Sequence, residues 1–281
     1  MSLVRGAIGC RRAMGRAMSA LEKTVSNGIR ILAQSSRTAP RTVGAFYATA
    51  LETFRLTAKR PFQFREFVAQ AWFIASVSIV PTLLMAVPLC VMVVFQINVL
   101  LNEIGAIDLS GAGAGVAVIR EIGPVVTVLV VAGAGATAIC ADLGSRTIRE
   151  EIDAMEVLGI NPIHRLVVPR VLASTLVALF LNGLVTAVGL TGGYLYAVFL
   201  QGATPGQFVT AISILTGIGD LMISELKAAI FGLLAGLVAC HLGLSVKGGP
   251  KGVGDAVNQT VVVSFMLLFL ANAIITTLSV H

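Results

Sequence analysis

FVAQAWFIASVSIVPTLLMAVPLCVMVVFQINVLLN, residues 67–102, holds no charged side chain. As a helix rising 1.5 Å per residue it would run to about 54 Å, against about 30 Å for the hydrocarbon core of a bilayer. Such a run has to cross a membrane and also to tilt, bend or protrude, with Pro81 and Pro88 marking the places. Further along the chain the pattern repeats. Residues 122–141 and 171–219 are likewise free of charge, and the second of these is too long for one crossing; Gln201-Gly-Ala-Thr-Pro-Gly206 supplies its turn. A fourth run covers Ala228–Val246 and begins about a turn earlier. After the loop Lys247-Gly-Gly-Pro-Lys-Gly252, a fifth extends from about Ala256 to Val280. The sequence therefore predicts an all-α membrane protein with five transmembrane helices, over about 67–102, 115–145, 166–200, 222–246 and 256–280. Phe208–Leu215 reads as a short interfacial or re-entrant helix, and Ser110-Gly-Ala-Gly-Ala-Gly115 as a flexible entry to the second span.

Composition agrees. Of 281 residues, 56% are hydrophobic and 12% charged, with a mean hydropathy of +0.91. A soluble domain carries about 25% charged residues, so this chain lacks the polar material to coat a water-facing surface. A soluble enzyme, a disordered chain and a coiled coil are excluded. Cys10, Cys90, Cys140 and Cys240 form no C-x-x-C pair, and three of them lie in apolar runs, which implies neither zinc nor disulfides. There is no G-x-x-x-x-G-K-[ST], no H-E-x-x-H and no G-x-S-x-G, and His164, His241 and His281 are far apart. Neither a catalytic residue nor a metal site is expected of this polypeptide.

The net charge of +6 could serve nucleic acid or a membrane surface, and its placement decides. With the amino terminus inside, every Lys and Arg except Arg120 and Lys227 falls on the cytoplasmic side, as the positive-inside rule requires. The carboxyl terminus is then periplasmic, and no nucleic-acid role is expected. Residues 1–40 form a basic arm, expected to be poorly ordered, without the apolar stretch of a signal peptide. Residues 41–66 follow with Val43, Tyr47, Leu51 and Phe54 at helical spacing, which predicts an amphipathic helix lying in the membrane interface. No internal repeat is present.

Three constellations stand out. The inner segment from Ser145 to Pro162 has Thr147 and Glu150 at capping-box spacing, Arg146 and Glu150 four apart, Arg149 and Asp153 four apart, and Gly159 with Pro162 as a stop. It predicts a separate helix of about three turns with Ile148, Ile152 and Met155 on one face, which either packs on the protein's own spans or awaits a partner. At the outer face, Arg120, Glu121, Glu225 and Lys227 form a charged cluster at span ends, where ionisable residues tend to pair. A spacing of two keeps Glu225 and Lys227 off one helical face, so Glu121 with Lys227 is the expected pairing. Small residues are also patterned, at Gly133, Gly135, Ala136, Gly189, Gly192, Gly193, Gly232 and Gly236, as close helix approach needs. Met85, Met92, Phe95, Leu100 and Leu101 are candidates to line an apolar lipid cavity, or else face lipid.

Glu121-Ile-Gly-Pro124, Val130-Val-Ala-Gly133, Glu150-Glu-Ile-Asp-Ala-Met155, Gly159-Ile-Asn-Pro162 and Val168-Pro-Arg-Val-Leu-Ala173 together closely resemble the MlaE/YrbE permeases, membrane subunits of ABC transporters that move lipids between bacterial membranes. The likeness covers roughly residues 60–280. It is greatest to the A-type YrbE subunits of mycobacterial Mce systems, through Arg60-Pro-Phe-Gln-Phe-Arg-Glu66, Ala132-Gly-Ala-Gly-Ala-Thr-Ala-Ile-Cys140 and Val246-Lys-Gly-Gly-Pro-Lys-Gly-Val-Gly254. The resemblance implies that the loop helix is a cytoplasmic coupling helix between spans two and three. Its Glu150, Glu151, Asp153, Ala154, Met155 and Glu156 would dock on an ATPase. It also implies a second YrbE-type permease, two ATPase subunits that bind the ATP and magnesium, Mce proteins on the periplasmic side of the inner membrane, and a lipid substrate such as a fatty acid or sterol. This chain itself would bind no cofactor. Arg120, Glu121 and Lys227 match positions where relatives carry charge beside the lipid cavity. The arm before about Arg41 has no counterpart, and Ala134 stands where some relatives have Arg. An ion-gradient-driven secondary transporter would need ionisable groups near mid-membrane. A non-transporting scaffold for the Mce assembly is the third reading.

Overall fold

In the computed structural model, residues 44–57, 63–106, 109–202 and 204–280 are described. The basic arm 1–40 and Val43 lie outside them. The chain divides into two units, Met1–Thr49 and Ala50–His281. All described secondary structure is helical. Helix α1 covers residues 44–57, and along it Tyr47, Leu51 and Phe54 are exposed while Thr53 and Leu56 are buried. Five helices are long and apolar enough to cross a membrane: α2 (Phe64–Glu103), α3 (Ser110–Ile148), α5 (Ile163–Phe199), α7 (Ile218–Leu244) and α8, whose full extent is Pro250–Val280. Each begins about one to two turns before its expected span, because helical hydrogen bonding continues past the hydrocarbon boundary into polar flanks. Two shorter helices, α4 (Glu151–Val157) and α6 (Pro205–Leu215), lie at opposite ends of the bundle.

Helix α2 continues unbroken through Pro81 and Pro88. It buries every fourth residue from Gln70 through Ile74, Ser78, Thr82, Ala86, Cys90 and Val94 to Asn98, a single narrow ridge of the kind that packs into the groove of a neighbouring helix. That neighbour is mainly α5. Gly189 receives the ridge, since a Cβ there would stand 2.9 Å from Cys90 Sγ and 2.6 Å from Val118 Cγ1. The remaining faces of α2 and of α8 are apolar and exposed, as lipid or a partner subunit requires.

Helix α7 is the hub, packed on α5, α3 and α8. At Gly232 a Cβ would lie 2.5 Å from the Ser174 carbonyl oxygen and 2.7 Å from Thr175 Cα, so the α5 and α7 backbones meet there. Ser174 Oγ donates to the Gly232 carbonyl at 2.7 Å, adding a polar tie where hydrocarbon offers no water. At Gly243 a Cβ would stand 2.8 Å from Leu143 Cβ, which brings α3 equally close.

Two local expectations are corrected. Ser110–Gly115 is a buried helical turn rather than a flexible entry, because its small residues let α6 and α2 press against it: a Cβ at Gly111 would collide with the Phe208 carbonyl, and one at Gly113 would stand 2.6 Å from Ile97 Cγ2. Gly133 is exposed with open space around it, so it is not a packing glycine.

Candidate functional site

The end of the bundle that carries α6 holds a cavity of about 400 Å³ between α3, α7 and α8. Arg120 and Glu121 enter it from Val116–Ile122, a π-helical segment of α3 whose wider turn interrupts the regular α-helical spacing. Arg120 Nη2 pairs with Asp220 Oδ1 at 2.9 Å and donates to the Leu215 carbonyl at 3.3 Å, linking α3 to the α6–α7 corner. Asp220 Oδ2 accepts the Gly217 backbone N–H at 3.0 Å and so caps α7. Lys227 is 3% exposed, and its ammonium donates to Thr276 Oγ1 of α8 at 2.8 Å.

Arg120, Glu121 and Lys227 thus share one cavity, but the expected ion pair between Glu121 and Lys227 does not form. Lys227 reaches across to α8 instead, while Glu121 stays exposed. The ion pair of this site goes to Asp220, which the sequence reading passed over as the end of a charge-free run; a carboxylate one turn into a span, opposite an isolated Arg, was the available signal. Glu225 sits apart from the other three. It lines a groove of about 520 Å³ with Leu176, Leu179, Phe180, Gly183 and Leu184 of α5.

At the other end, α4 seats Ile152 against the bundle and turns Asp153, Ala154 and Glu156 outward. Thr147 does not cap it: Thr147 belongs to the last turn of α3, and its hydroxyl donates to the Leu143 carbonyl at 2.9 Å and the Gly243 carbonyl at 3.0 Å. The break comes at Glu150, whose φ of 58° is left-handed, and α4 is accordingly seven residues long rather than three turns. The expected pairs Arg146–Glu150 and Arg149–Asp153 give way to Arg149–Glu151 at 3.2 Å and Arg146–Asp142 at 3.4 Å. Gly159, at φ 74°, ends the helix as its spacing foretold, with the Ile160 N–H returning to the Met155 carbonyl at 2.9 Å. Asn161 Oδ1 then caps the next helix through Ile163 N at 2.9 Å, a role the sequence reading missed.

Ile152 is buried and Met155 half-buried against the bundle, whereas Ile148 belongs to α3. Asp153, Ala154 and Glu156 are exposed, Glu151 half-buried, and Val157 and Leu158 protrude at 88% and 74% exposure. Beside them a groove of about 630 Å³ gathers Glu52 of α1, Asp153 and Glu156 with Ile160 and Leu244. Acidic walls and protruding apolar residues form a surface suited to a basic, partly apolar partner.

The five apolar candidates do not converge. Met85, Met92, Phe95 and Leu100 are exposed along the outside of α2, and Leu101 is half-buried, its Cδ1 3.5 Å from where a Cβ of Gly113 would be. The groove between α2 and α5 is lined instead by residues such as Val87, Cys90, Val91, Val188 and Leu195. Among the described residues, no group of His, Cys, Asp and Glu could hold a metal.

A family model described as Permease MlaE matches residues 67–278. A probable ABC transporter permease protein of Synechocystis is 34% identical over 168 residues, 60% of this chain and 64% of that one. The chloroplastic protein Trigalactosyldiacylglycerol 1 of Arabidopsis thaliana is 32% identical over 158 residues, 56% of this chain and 45% of that one. A probable ABC transporter permease protein of Rickettsia typhi is 34% identical over 161 residues, 57% of this chain and 61% of that one. The chain thus spans less than two thirds of the length of each of these relatives.

Proposed function

The chain belongs to the MlaE permease family, and from that premise we propose that it is the multi-pass membrane subunit of an ATP-driven lipid transporter. The observation that carries this reading is α4: a short helix that follows a left-handed break at Glu150 and rests on the bundle through Ile152, with exposed acids and two protruding apolar residues at its end. A separate ATPase, which binds the ATP and magnesium, presses on Asp153, Ala154, Glu156 and their neighbours. The α4 side is cytoplasmic in this reading, which the basic residues of the loops on that side support. The charged cavity at Arg120, Glu121, Asp220 and Lys227 then opens toward the periplasm, and the carboxyl terminus lies there too. One relative's name is that of a galactolipid, which supports lipid as cargo. The apolar, unpaired faces of α2 and α8 are the surfaces on which a second permease chain would close a central cavity. Mce proteins would receive or deliver lipid above it, in the inner membrane of a mycobacterium-like cell. Helix α1 lies in the cytoplasmic interface, with Tyr47, Leu51 and Phe54 toward lipid.

The test is reconstitution of the permease with its ATPase and a lipid-transfer assay on Asp153→Arg. The proposal expects the complex to assemble and transfer to be lost. Transfer that persists without ATP but collapses with the proton gradient would replace this reading by a secondary transporter.

A further inference from the structure

Glu225 lies seven residues into α7, about 10 Å from its start and three residues inside the span expected from the sequence. Its Oε1 accepts from Asn182 Nδ2 at 3.1 Å, and the same amide donates to Ser224 Oγ at 3.0 Å. Asn182 is fully buried, so the carboxyl group is held in a fixed direction. Its Oε2 takes no hydrogen bond or ion pair among the described residues, and the Glu225 side chain lines the 520 Å³ groove. An acceptor left unpaired beside an apolar wall is costly.

The groove has a polarity. Gly183 and Leu184 line the groove beside Glu225, and the wall then runs along α5 through Phe180 and Leu179 to Leu176, about 12 Å toward the amino-terminal end of that helix, without another polar side chain. Phe180 and Leu176 are 70% and 37% exposed, so the groove opens sideways. A Cβ at Gly183 would come within 3.7 Å of Glu225 Oε1, so the missing side chain leaves room beside the carboxyl group. One polar end and one apolar wall is the polarity of a lipid's head and chain. A transmembrane helix would fill the wall but would leave Oε2 unpaired unless it presented a donor at that one level.

Resting on the lipid-transport reading above, we propose that this groove takes the acyl chain of one lipid whose head donates a hydrogen bond, as a hydroxyl or a carboxylic acid, to Glu225. Arg120, Asp220 and Lys227 line a different cavity and are not part of this site.

The test uses the purified permease–ATPase complex and a photoreactive palmitic acid. The label is expected on the peptide spanning residues 176–184. Unlabelled palmitic acid and hexadecanol should both compete, and methyl palmitate, which has no donor, should compete at least about tenfold less well. Success of the acid alone would assign the head as a carboxylic acid, and success of both would assign any donor. Glu225→Ala should weaken labelling at least about tenfold, whereas Glu225→Gln, which keeps an acceptor oxygen, should stay within about threefold. Gly183→Leu should block the groove. Equal competition by methyl palmitate overturns the proposal without recourse to any variant. Label elsewhere, or a second permease chain cross-linked into the groove, does the same. If ATP-driven transfer continues in any of those cases, the transporter reading stands and only the groove assignment falls.

Discussion

Arg170, with no exposed surface, is held by Asp142, whose carboxylate is still 27% exposed. Arg170 Nη1 also donates to the Leu166 carbonyl at 3.0 Å. Asp142 pairs at the same time with Arg146 at 3.4 Å, Arg146 reaches Glu151 at 3.9 Å, and Glu151 takes Arg149 at 3.2 Å. A ladder of alternating charge therefore runs from the buried start of α5 to the first residue of α4. Removing one member of a buried pair strands the other charge, so Asp142→Ala should destabilise the protein by about 3–5 kcal/mol. The paired change Asp142→Leu with Arg170→Met should recover most of that loss in thermal unfolding of the purified protein.

Cutting the ladder at a half-buried rung should separate stability from coupling. Arg146 is 32% exposed, and Arg146→Gln should cost no more than about 1 kcal/mol. In the complex it should lower lipid transferred per ATP hydrolysed, and Arg146→Lys should restore it. An unchanged ratio would make the ladder purely structural.

The glycines should sort by what surrounds them. Gly232→Ala places a methyl group 2.5 Å from a backbone oxygen, and the α5–α7 contact has to open, at a cost of about 1–3 kcal/mol. Gly133→Ala meets nothing within 4 Å and should be neutral or stabilising by up to about 1 kcal/mol. Melting temperatures of the two variants, measured side by side, check this.

Glu150 holds a left-handed conformation that costs an L-residue about 1–2 kcal/mol. Glu150→Gly should therefore keep or raise stability, and Glu150→Val should lower it by about 1–2 kcal/mol, both read by thermal unfolding.

Lys227 is buried and tied to α8 through Thr276. Lys227→Met preserves the length of the stem and removes the charge. It should leave the Arg120–Asp220 pair and assembly intact while reducing lipid transfer at least about tenfold, as the lipid-transport proposal expects of a buried charge lining that cavity. Transfer at the wild-type rate would remove Lys227 from the site.

The five spans were legible because absence of charge over about nineteen residues or more in an apolar run has one physical meaning. The stop at Gly159 was legible because a left-handed turn selects glycine. The start of α4 was not. Thr147 and Glu150 have the spacing of a capping box, but tertiary contact decides: the Thr147 hydroxyl meets the Gly243 carbonyl of α7, α3 continues, and the break moves to Glu150. The π-helical turns at Val116–Ile122, Val131–Gly135 and Ile163–Val167 leave no mark on local propensity. The charged site was half legible. Arg120, Glu121 and Lys227 were found as charges at span ends, but which of them pair depends on how α3, α7 and α8 lean together, and that alone separates Asp220 from Glu225.

The most direct measurement of the central claim is site-specific cross-linking at Val157, the most exposed apolar residue of α4. In intact cells expressing the whole complex, the Val157→Cys chain should cross-link to the separate ATPase and resist a membrane-impermeant maleimide added outside. Labelling by the external reagent, or a cross-link confined to its own subunit, would contradict the account.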